Sequence, residues 1–129
     1  MQDRPTAREL LEAVRRFLED DVVAALDGPA RFHARVAANV LAIVGRELEG
    51  EEPTLLAEWT RLATLLGRAE APPERLVALR AAVAELTEEL CARIRRGDAD
   101  ASPFREAVRA AVGASVAEKL AVANPRLAR

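Results

Sequence analysis

The sequence predicts an all-α fold, an antiparallel bundle of about five helices in a single domain. Apolar residues recur at steps of three and four in five segments, and none of these alternates with a period of two over a useful length. Each segment has recognisable start and stop residues, and the connections are short. Aromatic residues are scarce (Phe17, Phe32, Phe104, Trp59 and no Tyr), so the core must come from Leu, Val, Ile and Ala, which suits close helix–helix packing.

The first helix is expected from about Ala7 to about Leu26. Thr6 and Glu9 form a T-x-x-E capping box behind Pro5. Leu10, Leu11, Val14, Phe17, Leu18, Val22 and Leu26 then supply an apolar face, and Asp27-Gly28-Pro29 is a stop. The second helix carries FHARVAANVLAIVGREL, with Phe32, Val36, Val40, Ile43 and Val44 on one side and Gly50 as its end. Glu51-Glu52-Pro53 places acids and a proline at the start of a third helix, where the dipole favours negative charge and a missing N–H costs nothing. Its face is Leu55, Leu56, Trp59, Leu62 and Leu66, with Gly67 as the exit.

Pro72-Pro73-Glu74 opens the fourth helix. Leu76, Leu79, Val83, Leu86, Leu90 and Ile94 run close to a heptad seam that stops at Arg95-Arg96-Gly97. Ser102-Pro103 begins the fifth, with Phe104, Val108, Val112, Val116 and Leu120 inward. Asn124-Pro125 ends it, and the last four residues are expected to fray.

Composition excludes several functions. A net charge of −2 argues against nucleic-acid binding, which draws on a concentrated basic face. No apolar run approaches the roughly 20 residues that span a membrane, and the charged start MQDRPTAREL lacks a signal-peptide core, so a cytoplasmic protein is expected. A lone cysteine, Cys91, makes neither an intrachain disulfide nor a zinc cluster, and no Glu-x-x-His pair offers a di-metal site. No phosphate-binding glycine loop is present, and the single histidine, His33, has no patterned nucleophile beside it. The reading assigns no catalytic residue, no metal and no cofactor.

One polar cluster stands out on the second helix. Projected at about 100° per residue from Ile43, Asn39 falls about 40° to one side, with Arg46 and Arg35 at about 60° and 80° on that side and Glu47 about 40° on the other. Asn39 and Glu47 thus lie within the apolar stripe, and the arginines border it. Two readings stand. Arg35, Asn39, Arg46 and Glu47 form a small polar pocket or partner site, since Asn both donates and accepts and Arg offers a fork for carboxylate or phosphate. Alternatively Asn39 specifies packing and the charges pair internally, as buried polar groups usually do. Trp59 sits on an apolar face and reads first as core, although Trp is also enriched at interface centres. A homodimer or a hetero-partner is a further expectation.

The stretches PTARELLEAVRRFL and FHARVAANVLAIVGREL resemble an uncharacterised bacterial family, domain of unknown function 6285. The match is carried by Pro5, Glu9-Leu10-Leu11, Ala13-Val14 and Phe17-Leu18, then by Arg35-Val36-Ala37-Ala38-Asn39 and Arg46-Glu47-Leu48. The resemblance implies a small helical cytoplasmic protein in the setting of acyl-CoA catabolism, associated with an acyl-CoA dehydrogenase or a kinase-like, phosphotransferase-type enzyme. It supplies no catalytic residues. Two functions follow as expectations: a non-enzymatic accessory protein that docks through an exposed helical face, or a module that binds an acyl or anionic small molecule at Arg35, Asn39 and Arg46.

Overall fold

The computed structural model describes residues 4–127. The first three and last two residues, which include part of the charged start and of the expected frayed end, lie outside the described residues. The described residues form helices and connecting turns without a strand. The chain divides into two compact units, Met1–Gly50 and Glu51–Arg129.

In the first unit, helix α1 (Ala7–Phe17) begins as its sequence dictates. The Glu9 N–H donates to the Thr6 hydroxyl at 3.2 Å, and the Thr6 N–H donates to the Glu9 carboxylate at 2.7 Å. Two otherwise orphaned donors are thereby satisfied reciprocally. The chain then differs from the single helix expected to Leu26. Leu18–Val22 is a π-helical turn, in which the Val23 N–H reaches back five residues to the Leu18 carbonyl. One extra residue in the turn rotates everything after it. Val23 therefore takes the buried position, Val22 is only half-buried, and the short helix α2 (Val23–Ala25) ends the segment.

Helix α3 runs from Gly28 to Leu66 without interruption, where a stop at Gly50 and a new start at Pro53 were expected. The reason lies in what proline requires. Its φ is already helical, and inside a helix it forfeits one hydrogen bond and crowds one carbonyl. Acids followed by proline are therefore compatible with a helix start but do not compel one. The division between the two units falls at this same stretch.

The second unit holds the principal apolar core. Trp59, Leu62, Ala63 and Leu66 of α3 pack with Leu79, Val83, Leu86 and Leu90 of α4 (Leu76–Arg95) and with Val108 of α5 (Phe104–Ala123). The middle of the α4 heptad seam, Leu79 to Leu90, is inward as the sequence predicts, whereas Leu76 is half-buried and Ile94, expected inward, is exposed; Trp59 is core. On α5 the expectation holds only in part, because Val112 and Val116 are exposed. Val112 and Val116 lie only about 40° and 80° around the helix from Val108, further along α5 toward its C-terminal end, beyond the packed cluster.

Gly67 and Gly97 close α3 and α4 in the same way. Each has positive φ (71° and 90°), and the following N–H returns to a carbonyl one turn earlier, Arg68 to Ala63 at 2.8 Å and Asp98 to Arg93 at 3.1 Å. A side chain at either position would strain that left-handed conformation.

Ion pairs decorate this unit. Arg61 grips Glu118 across α3 and α5, with one N–H···O distance of 2.8 Å, and the expected Glu89–Arg93 pair is present at 3.4 Å. Lys119 reaches the buried Glu58 at 3.5 Å. Pairs as exposed as most of these contribute little, so the apolar cluster carries the stability.

Candidate interaction surface

The first unit is a helical hairpin, and its register can be read along its length. Arg8 pairs with Glu49; one recess brings Glu12 and Arg15 beside Ala42, Gly45 and Arg46; a second brings Glu19 and Val23 beside Ala38 and Asn39. Residues rising on α1 meet residues falling on α3, so the two segments are antiparallel.

The contact is not made by the stripe that the sequence singled out. Ala34 and Ala38 are buried, Ala38 to 2% exposure, and Leu41, Ala42 and Gly45 are half-buried. Small side chains let the helix axes approach closely. Phe32, Val36, Val40 and Val44, expected inward, are instead exposed, Phe32 to 63% and Val40 to 49%. The reason is geometric. By projection at about 100° per residue, Val36 and Val40 lie about 160° and 200° around α3 from Ala38, on the side turned away from α1. Leu48 is exposed as well, and so are Leu10, Val14 and Phe17 on α1. Eight large apolar side chains of one hairpin are therefore exposed, while among the described residues its buried apolar ones are Val23, Ala34 and Ala38.

The recess between α1 and α3 has a polar wall on α1. Glu12 accepts from Arg15 Nε and a second Arg15 nitrogen, both at 2.7 Å, and from Arg16 Nε at 2.9 Å. These hydrogen bonds, those from Arg15 above all, hold the Glu12 carboxyl down at about 2, well below the ordinary carboxylate range. Glu19 takes the other end of Arg15, and the Arg15 guanidinium is pushed further toward its charged form.

The sequence-predicted site residues are brought together only in part. Arg35 and Asn39 share a recess of about 380 Å³ with Glu19, Val23 and Ala38. Arg46 lies in a separate recess of about 250 Å³ beside Glu12 and Arg15 and makes an interaction of its own. Glu47 is exposed and, by the same projection, about 180° from Ala38, among the outward apolar residues. Trp59 belongs to the core of the second unit. Asn39 is exposed, so the buried bridging role is not the one its surroundings offer. His33 is exposed beside Phe32, its ring edge-on at a centroid distance of 5.6 Å.

Sequence reasoning missed the outward apolar flank. The signal was the pair Ala34 and Ala38, small residues one turn apart on the face opposite the bulky stripe, which are the buried ones. The second unit carries one further feature, an open groove of about 630 Å³ between α3 and α5, walled by Thr60, Thr64, Leu65, Phe104, Ala107 and Ala111. Among the described residues, no cluster of His, Cys, Asp and Glu has the makings of a metal site, and no helix is long and apolar enough to cross a membrane.

A family model described as a domain of unknown function (DUF6285) matches residues 24–127. The matched span includes Arg35-Val36-Ala37-Ala38-Asn39 and Arg46-Glu47-Leu48 and begins after the PTARELLEAVRRFL stretch. No curated protein and no solved structure matches the chain.

Proposed function

Taking as premise that the chain belongs to the DUF6285 family, we propose that it is a cytoplasmic, non-enzymatic helical interaction protein whose working surface is the outward apolar flank of the first unit. One observation carries this reading: a hairpin with three buried apolar residues exposes eight large ones. Soluble chains seldom leave apolar patches beyond a few hundred Å² uncovered, and larger ones mark contact surfaces. A hairpin of about fifty residues also falls in the size range where a single core supplies only a few kcal/mol. The acyl-CoA dehydrogenases and phosphotransferase-type enzymes implied by the family resemblance are the enzymes such a protein would serve.

The test is site-specific photo-crosslinking in the native host. A photo-reactive amino acid at Val40 should give discrete crosslinked protein products, and the same amino acid at Arg16, which pairs with Glu12 on α1, should give none. Equal yields at the two positions, or none at Val40, would overturn the reading.

The convergence of Arg35 and Asn39 on one recess supports a second reading, a binding module for an anionic or acyl ligand. The recess lies within the usual volume range for small-molecule sites. Glu19 beside the two and the separate position of Arg46 weigh against it. It gains if Arg35→Ala abolishes a thermal shift produced by a long-chain fatty acid, and it falls if no such shift occurs.

A further inference from the structure

We infer that the occupant of the outward face of α3 is a second copy of this chain, packed antiparallel about a two-fold axis at Val40; this rests on the contact-surface reading above and names the partner. The face is self-complementary in a way that a surface for an unrelated protein need not be. Counting outward from Val40, the positions four residues away are Val36 and Val44, and those eight away are Phe32 and Leu48. All five side chains are exposed. At seven residues on either side stand His33 and Glu47, both exposed.

His33, Val36, Val40, Val44 and Glu47 step by threes and fours, the spacing of a seam between two helices that cross at a shallow angle, and the set maps onto itself when reversed about Val40. Reversing a second copy about Val40 sets Val36 against Val44 and Phe32 against Leu48. It sets His33 of each copy against Glu47 of the other, at both ends of the seam. A parallel arrangement would instead oppose Glu47 to Glu47, with like charges facing each other and no compensating partner. The antiparallel two-fold also explains why a carboxylate sits within the apolar stripe, since Glu47 closes the seam opposite a donor. A two-fold contact must have this reciprocity: each residue meets its counterpart's partner.

The area is of the right order. Phe32, Val36, Val40, Val44 and Leu48, each open to about half its extent, offer on the order of 400 Å² per chain, against about 800 Å² per partner in a standard interface, which suits a dimer of modest affinity. Two hairpins joined in this way form a four-helix layer, which buries the α3 stripe that one hairpin leaves open.

The test is sedimentation velocity on the full chain across about 1–100 μM, with wild type, Val40→Glu, His33→Glu and the exchange His33→Glu/Glu47→His. All three positions are exposed, and far-ultraviolet circular dichroism checks that each variant stays helical. Wild type should be a dimer, and Val40→Glu a monomer. His33→Glu, which opposes two carboxylates at each end, should weaken the dimer by about tenfold, and the exchange should restore it to within about threefold, because it rebuilds the same pairs. A dimer that survives Val40→Glu, or an exchange variant no tighter than His33→Glu, overturns the register. A wild type monomeric at 100 μM overturns the second copy. If Val40 nonetheless crosslinks to another protein in the host, the contact-surface reading stands while this one falls; a monomer without crosslinks sinks both.

Discussion

Leu79→Ala should destabilise the second unit by about 3 kcal/mol, whereas Val77→Ala, two residues away on α4, should change stability by less than about 0.5 kcal/mol. The contrast follows from exposure alone, 3% for Leu79 and 74% for Val77. Truncating leucine to alanine removes three carbons. At about 0.8 kcal/mol for each buried methylene-sized group, transfer contributes about 2.4 kcal/mol. The space left among Trp59, Val83 and Leu86 adds a cavity cost, which brings the total to about 3 kcal/mol. Val77 already meets water on most of its surface, and its truncation leaves no void. The assay is urea unfolding followed by tryptophan emission. Trp59 is the chain's single tryptophan and belongs to this core, so its signal reports the unit in question. With a denaturant slope of about 2 kcal/mol per molar, the midpoint should fall by about 1.5 M for Leu79→Ala and stay within about 0.3 M for Val77→Ala. A shift below about 0.5 M for Leu79→Ala, or equal shifts for the two variants, would refute the assignment of the α4 face.

Two predictions concern α1. Thr6→Ala breaks the reciprocal cap and should lower the stability of that helix by about 1 kcal/mol, seen as faster amide exchange at residues 7–10 with the α4 amides unchanged. The Glu12 carboxyl is held down at about 2 from an ordinary value of 4.5 by Arg15 and Arg16. Its contribution is therefore complete above about pH 4.5 and is lost as pH falls toward 2, because the unfolded chain takes up the proton first. Carboxyl-carbon NMR should place the Glu12 midpoint near 2, and Glu12→Gln should remove that part of the acid sensitivity of α1; a midpoint near 4.5 would mean that the arginine bonds do not persist in solution.

The elements themselves were legible in the sequence because their signals are local. Thr6 and Glu9 are three residues apart and cap the same helix turn. Gly67 and Gly97 take a backbone conformation closed to most other residues. The α4 seam repeats at the period of the helix that carries it. Each of these depends on hydrogen bonds and sterics within a few residues, so the order of the chain was enough to place them. Arg35 and Asn39, one turn apart on α3, were likewise found together for a local reason.

Burial was decided by the tertiary structure, since it depends on where the neighbouring segment runs. The stripe from Phe32 to Leu48 and the row Ala34, Ala38, Gly45 are both regular helical faces, and periodicity cannot say which one meets α1. The structure buries Ala34 and Ala38 against α1, which turns the large side chains outward. The π-helical turn at Leu18–Val22 advances the register by one residue and exchanges Val22 for Val23. Pro53 favours a helix start and forfeits a hydrogen bond inside a helix, so the sequence pointed to a start, and only the path of α3 shows that the helix runs through it. Arg46 and Arg35 border the same stripe in projection but enter different recesses, because eleven residues of helix set them about 16 Å apart along α3. What the sequence by itself determined was where helices begin, end and carry apolar faces; which face is covered and which is left for another molecule came from how the segments pack, because that is set by distances between residues far apart in the chain.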